Sequence, residues 1–399
     1  MNFRFYNPTE VIFGPGEFRK SGDLSSRLGR KCLLVIGQGS VEKQGYLAKL
    51  EAMLQTAKVD YFIFKGIEPN PHVETCTEAA KVAIAENCDF IIALGGGSVM
   101  DASKAIAAGF YDPDNLWDYV NHGQEGVKRV EKALPLMVIP TLAATGSEMD
   151  SGAVITCWKA HEKCVIGSPL LFPRIAVIDP ELTLTVPLDY TMDGVFDICV
   201  HVMESYFNGD LNTPIQGRLI EGVLIALFSE GRKLYHNLND IKLRESVQWA
   251  SSLALSGFFT AGRGGNYPVH QMEHVLSAHW DISHGRGLAL IMPRWMWYVS
   301  PTDPTPFADF AHNVMGIEST GEPLADAQAG IKALVAWLES VGLFLTIDEI
   351  GVSVDGLEMA ADECVRLSGR GKAVPGIKPL SREDLLAIYR MCEVRDFMM

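Results

Sequence analysis

Phe90-Ile91-Ile92-Ala93-Leu94-Gly95-Gly96-Gly97-Ser98-Val99-Met100-Asp101-Ala102-Ser103-Lys104-Ala105 joins an apolar run to a glycine corner and then to a good helix start. Continuous rather than alternating hydrophobicity over 90–94 means burial on both faces, as in a strand of a parallel sheet covered by helices. Runs of the same kind recur at 32–36, 61–64, 136–139 and 175–178. The stretches between them leave room for crossover helices, and 41–57, 73–87 and 98–109 have the apolar spacing for it. Strand, helix, strand repeated in this way predicts an α/β fold with a Rossmann-like, doubly wound parallel sheet, whose ligands bind beyond the carboxyl ends of the strands.

The glycine corner lies at such an end. Glycines let a phosphate approach the backbone, and a helix N-terminus offers unpaired N–H groups and the positive end of a dipole, so a pyrophosphate is the expected ligand of Gly96, Gly97 and Ser98. Met100 stands where the last glycine of G-x-G-x-x-G belongs, so the dinucleotide fingerprint is incomplete. A plain tight turn capped by Ser98 is the structural alternative. Two further corners follow other strands: Gly37-Gln38-Gly39-Ser40 after the first, and Pro140-Thr141-Leu142-Ala143-Ala144-Thr145-Gly146-Ser147-Glu148 after the fourth. Three polar corners at strand ends favour a dinucleotide over three unrelated turns. Lys163 offers a cation to the same region.

After Asp179-Pro180 the pattern changes. Helical spacing runs through 189–208, 214–235, 241–261, 268–278, 304–316, 323–341, 355–367 and 381–393, with hardly any β-branched run of strand length. The expected organisation is an α/β dinucleotide-binding domain over 1–184 and an all-helical, metal-binding domain over 185–399, with the site in the cleft between them.

The metal expectation comes from histidine. The chain has 10 histidines in 399 residues, yet His270, His274, His279 and His284 fall within fifteen of them. Asp197 and His201 stand at i and i+4, on one face of a helix, as do His270 and His274. One carboxylate with two or three imidazoles suits a borderline divalent ion such as Fe²⁺ or Zn²⁺ and leaves a coordination position for substrate. A hydrogen-bonded surface pair is the bland reading of Asp197 and His201 alone.

Composition narrows the classes. The chain is 48% hydrophobic and 21% charged, as globular domains are, which excludes a disordered or collagen-like protein. A net charge of −15 with no basic stripe argues against nucleic acid as a partner. No segment is apolar for the ~18 residues of a membrane span, and the first residues lack the apolar core of a signal peptide, so no membrane association and a cytoplasmic location are expected. Eight scattered cysteines without a C-x-x-C pair read as reduced core thiols.

Taken in order, Gly95-Gly96-Gly97-Ser98-x-x-Asp101, Thr141-x-x-x-Thr145-Gly146-Ser147-Glu148, Asp197-x-x-x-His201 and His270-x-x-x-His274 with His284 resemble the iron-dependent (group III) alcohol dehydrogenases. Asn7-Pro8-Thr9, Phe13-Gly14-Pro15-Gly16 and Gly66-Ile67-Glu68-Pro69-Asn70-Pro71 are similar to the branch of butanol dehydrogenases and NADPH-dependent aldehyde reductases. The resemblance spans nearly the whole chain. It implies Asp197, His201, His270 and His284 as metal ligands and His274 as a proton relay near the nicotinamide. It also implies Asn70, Gly97, Ser98, Asp101, Thr141, Thr145, Lys163 and Leu182 as cofactor contacts, joined by the corner residues Gly37, Gly39, Ser40 and Gly96. The cofactor is NAD(H) or NADP(H) with one divalent metal, Fe²⁺ or alternatively Zn²⁺. Family members that prefer NAD often carry Asp after the first strand; the corner 37–40 has none, which makes NADP(H) at least comparably acceptable. Hydride transfer between nicotinamide and a small primary alcohol or aldehyde, by a homodimer or higher homo-oligomer, follows. The alternative is a metal- and NAD-dependent lyase or cyclase of the dehydroquinate synthase type, which needs a basic pocket that Arg263, Arg286 and Arg294 alone supply poorly. A metal-dependent phosphohydrolase and a non-enzymatic binding protein fit less well.

Overall fold

The computed structural model describes residues 2–123 and 125–398. Its elements in chain order are β1 (Glu10–Phe13), α1 (Ser21–Ser25), β2 (Lys31–Gly37), α2 (Ser40–Lys43), α3 (Tyr46–Thr56), β3 (Asp60–Ile67), α4 (Val73–Ala85), β4 (Phe90–Gly95), α5 (Gly97–Gly109), β5 (Leu136–Pro140), β6 (Gly152–Cys157), β7 (Glu162–Gly167) and β8 (Ile175–Ile178). Helices follow: α6 (Leu188–Phe207), α7 (Pro214–His236), α8 (Ile241–Ala254), α9 (Pro268–Trp280), α10 (His284–Val299), α11 (Thr305–Asn313), α12 (Pro323–Ser340), α13 (Leu357–Leu367) and α14 (Arg382–Met391).

Six strands form one parallel sheet in the order β1-β8-β5-β4-β2-β3. All five expected runs are strands of it. Leu34, Ile36, Ile92, Leu94, Met137 and Ile139 share a buried cluster with Leu47, Leu50 and Leu54 of α3. Leu33, Val35, Ile91, Ala93 and Val138 are equally buried on the other face, which is why these runs carry no polar alternation. The register aligns β2, β4 and β5 so that Gly37, Gly95 and Pro140 end neighbouring strands on one side. The corners therefore gather at the sheet's carboxyl edge.

Three strands of this half were not anticipated. β1 is a four-residue edge strand, too short to read as a run, and β6 and β7 form an antiparallel hairpin separate from the sheet. The helical stretch expected over 41–57 is broken at Gly45, whose φ of 71° ends α2 before α3 begins. Among the described residues no cysteine forms a disulfide.

The chain divides into two compact units. The sheet unit is Tyr6–Pro187 with Asn239–Ser256; the helical unit comprises the residues up to Phe5, Leu188–Leu238 and 257 onward. The segment carrying α8 thus differs from the expected division, which placed it with the helices around it. The reason is local: Ala144 N–H donates to Ser251 Oγ at 3.1 Å, Ser252 Oγ donates to Glu148 at 2.6 Å, and Gly146 lies so close to the Ser251 carbonyl that a Cβ would stand 2.4 Å from it. In the helical unit α10 was also unexpected. Its first turn reads His284-Gly285-Arg286-Gly287 and Pro293 lies inside it, so the segment carries several breakers. Among the described residues no helix is long and apolar enough to cross a membrane.

Candidate active site

In the sheet unit the strand ends touch one another. Ser98 Oγ donates to the Pro69 carbonyl beside Asn70, which is buried, and so ties the β4 corner to the end of β3. Ser98 therefore does not cap α5; no side chain does, and the helix starts at Gly97 with its first N–H groups uncapped. A Cβ on Gly97 would stand 2.5 Å from Thr145 Cγ2 and 2.7 Å from its Oγ1, so this backbone lies against the β5 corner. Thr141 N–H donates to the Gly95 carbonyl at 3.0 Å. Gly37 lies near Val99 of α5, and Gly39, at φ 112°, starts α2 with Ser40 exposed beside it. The structure thus brings together Gly37, Asn70, Gly96, Gly97, Ser98, Thr141 and Thr145, and Gly39 and Ser40 follow Gly37 in the chain.

The corner 37–40 contains no carboxylate, but one helical turn folds Glu42 back on it: a Cβ on Gly39 would lie 3.5 Å from Glu42 Oε2. A carboxylate therefore does stand near the end of β2, with Lys65 Nζ 3.8 Å from Glu42 Oε1. Three other expected contacts are Lys163, Leu182 and Asp101. Lys163 lies on β7 opposite Thr156 and is buried, not a solvated surface lysine. Leu182 is buried in the same cluster as Ile36, Leu94 and Ile139. Asp101 has both oxygens engaged, one by Ser147 Oγ at 2.6 Å and the other by Val154 N–H at 2.8 Å. It belongs to a scaffold beneath the corners that sequence reading missed. Lys104, fully buried, donates to Ser147 Oγ at 2.8 Å, to the Gly152 carbonyl at 2.7 Å and to Asp150. This buried cation pins the β5–β6 connection to α5.

The helical unit carries the histidines. Asp197, His201 and Glu204 fall at i, i+4 and i+7 on α6, and His270, Glu273, His274 and Ser277 form a similar stripe on α9. His284 is the first residue of α10. It is held there because Gly285 lets α10 approach the backbone of Asp193 on α6, where a Cβ would stand 2.3 Å from the carbonyl oxygen, and because Ser283 Oγ donates to Asp193 at 2.6 Å.

These helices converge on one carboxylate oxygen. Asp197 Oδ1 is 3.0 Å from His201 Nδ1, 3.7 Å from His270 Nε2 and 3.8 Å from His284 Nε2. Asp197 Oδ1, His201 Nδ1 and His270 Nε2 are buried without a hydrogen-bond partner. Orphaned buried polar atoms are costly, and a carboxylate oxygen and two imidazole nitrogens left in this state call for a cation. Ligands about 2.1 Å from a tetrahedral ion would stand roughly 3.4 Å apart, close to the observed spacings. The donor set thus fits a divalent transition metal. His274 lies at the rim, its ring 5.6 Å from that of His284 and 6.4 Å from that of His270. Glu273, His274 and His284 form an overlapping group of potential ligand atoms within 4.8 Å of one another. His279 is apart from the cluster and paired with Glu363 at 2.6 Å.

The electrostatics agree with the geometry. Burial and the neighbouring His270 push His201 down to about 4, so it presents a neutral lone pair. Burial opposes charge on His270 as well, but Asp197 and Glu204 outweigh it and lift this imidazole to about 9. Asp197, despite its burial, is held well below the usual carboxylate range by His201, His270 and His284. The cluster stabilises positive charge at its centre.

Comparison with known proteins gives the class. Residues 8–180 match the family model of iron-containing alcohol dehydrogenases, and residues 191–392 match the C-terminal model of the same family. NADH-dependent butanol dehydrogenase A of Clostridium acetobutylicum is 35% identical over 98% of this chain and 99% of its own. The NADPH-dependent aldehyde reductase YqhD of Escherichia coli is 32% identical over 90% of this chain and 91% of its own. The crystal structure of NADH-dependent butanol dehydrogenase A from Thermotoga maritima superposes with a TM-score of 0.93 at 33% identity, covering 98% of this chain and 99% of that one. The chain belongs to the iron-containing alcohol dehydrogenase family and is an oxidoreductase. The lyase or cyclase alternative is not favoured.

Proposed function

We propose that this protein is a metal-dependent alcohol dehydrogenase or aldehyde reductase that transfers a hydride between NAD(H) or NADP(H) and a small, butanol-like primary alcohol or its aldehyde. The observation that carries the proposal is the convergence of buried, unpartnered lone pairs on Asp197 Oδ1, in a chain whose strand-end corners suit a dinucleotide. Asp197, His201, His270 and His284 would hold one ion, Fe²⁺ or alternatively Zn²⁺. When bound, the ion supplies Lewis acidity towards the substrate oxygen and the dinucleotide supplies the hydride chemistry.

The remaining work falls to the chain. Gly96, Gly97 and Ser98, at the uncapped start of α5, bind the pyrophosphate. Asn70, Thr141, Thr145, Lys163 and Leu182 orient the rest of the dinucleotide, while Asp101 acts through Ser147 on the loop that carries Thr145. His274 accepts and returns the alcohol proton. Gly37, Gly39 and Ser40 receive the adenosine ribose, and Glu42 biases that corner towards NAD(H) by repelling a 2′-phosphate. The protein acts as a cytoplasmic homodimer or higher homo-oligomer, which sedimentation velocity and cell fractionation test.

Absorbance of the reduced nicotinamide, followed on adding a panel of aldehydes to metal-loaded protein, tests the activity. Aldehyde-dependent consumption of NADH or NADPH is the expected outcome; no consumption of either with any short-chain aldehyde contradicts it. Glu42→Gln should raise kcat/KM for NADPH relative to NADH several-fold. An unchanged ratio would remove Glu42 from cofactor selection.

A further inference from the structure

Two carboxylates lie behind the histidine cluster, and neither is among the proposed ligands. Glu204 and Glu273 are both fully buried. Glu204 on α6 bonds His270 Nδ1, and Glu273 on α9 bonds His284 Nδ1. In both imidazoles the opposite nitrogen, Nε2, faces Asp197 Oδ1. Each carboxylate therefore comes from the preceding helix of the α6, α9, α10 set and braces a histidine on the next.

Both are anchored independently of the imidazoles. Glu204 accepts from the backbone N–H of Val269 at 2.6 Å and of His270 at 3.3 Å, so it also closes the N-terminus of α9, where a negative charge is favoured. Glu273 accepts from Ser277 Oγ, and Gly287 makes room for it: a Cβ there would stand 2.7 Å from Glu273 Cγ. A carboxylate fixed in this way accepts the Nδ1 proton, selects the tautomer with a lone pair on Nε2, and raises the basicity of that lone pair.

We infer that Glu204 and Glu273 are positioning residues of the metal centre, setting the tautomer and ring orientation of His270 and His284. This rests on the reading of the cluster as a metal site. His201 is the contrast, because its facing atom is Nδ1.

The test is Co²⁺ and Zn²⁺ affinity, measured by competition with a chromophoric chelator, together with the visible Co²⁺ spectrum. Glu204→Gln and Glu273→Gln keep an acceptor and lose the charge; Glu204→Leu and Glu273→Leu lose both. Affinity should fall about 10-fold in the Gln variants and about 100-fold in the Leu variants, with an altered Co²⁺ spectrum. Asp326→Asn, at another buried carboxylate of the helical unit, should lower stability and leave metal affinity unchanged. Wild-type affinity and spectrum in folded Gln variants would overturn the inference even if the Leu variants fail to fold. A wild-type protein that binds neither ion would instead overturn the underlying reading of the cluster.

Discussion

A methyl group at residue 97 has no room, since it would meet Thr145 at 2.5 Å, and Thr145 is itself held by Ser147 N–H on its hydroxyl at 3.2 Å. Gly97→Ala must therefore push the β4 and β5 corners apart. It should weaken binding of NADH and NADPH by about 10-fold or more, as read from nicotinamide fluorescence, because overpacking costs about 1–3 kcal/mol. Unchanged affinity would mean that these corners do not bind the cofactor. At the other site His274 is the residue whose role differs from its neighbours'. His274→Ala should keep the metal and lose about 10²-fold in turnover, with a changed pH profile, as expected on removing a proton relay. Loss of metal would make it a ligand, and wild-type rates at every pH would make it structural. Glu204 and Glu273 escaped sequence reading because a buried carboxylate's partner is set by tertiary geometry. The signals were there: Glu273 sits between two histidines of the cluster, and Glu204 follows His201 by three residues on the same helix face.

At the scale of elements, stability at low pH is set in part by α14. Asp384 completes a capping box with Ser381 and also accepts from Lys378 Nζ and Tyr298 Oη, each at 2.7 Å. These contacts and the Ser381 N–H, against the opposing effect of burial, lower Asp384 to about 2. Its folded value lies below its unfolded one, so its contribution is present above the ordinary carboxylate range and is lost as pH falls through about 2. Asp384→Asn should cost about 2 kcal/mol at pH 7 in urea denaturation, with the deficit closing between pH 4 and pH 2. A deficit independent of pH would contradict this. The elements that sequence reading found and missed divide on the same physical ground. β2 and β4 were legible because burial on both faces leaves no polar residue in the run. α10 was not, because Gly285 and Gly287 in its first turn, which serve close packing, and Pro293 inside it read as breakers. The β6–β7 hairpin was missed although it carries Lys163, because its strands lie outside the parallel sheet and follow no crossover pattern.

For the molecule as a whole, the pattern of apolar runs conveyed the α/β character of the first half and the helical character of the second. It did not convey that α8 groups with the sheet unit. That depends on Ser251 and Ser252 meeting the loop of Ala144, Gly146 and Glu148, about a hundred residues earlier in the chain. Nor did it convey Lys104, whose three acceptors come from residues 147, 150 and 152 and are assembled only by folding. The histidine cluster was legible because four histidines in one short stretch exceed chance, whereas the carboxylate at Gly39 was hidden in Glu42, one turn beyond the corner. The central claim is that one divalent ion at Asp197, His201, His270 and His284 supports dehydrogenase turnover. Its most direct test is to titrate chelator-treated protein with Fe²⁺ under argon while following aldehyde-dependent oxidation of NADH or NADPH. The rate should start near zero and rise to a break at one equivalent per chain. Full turnover before any metal is added, or none at any loading, would contradict the account.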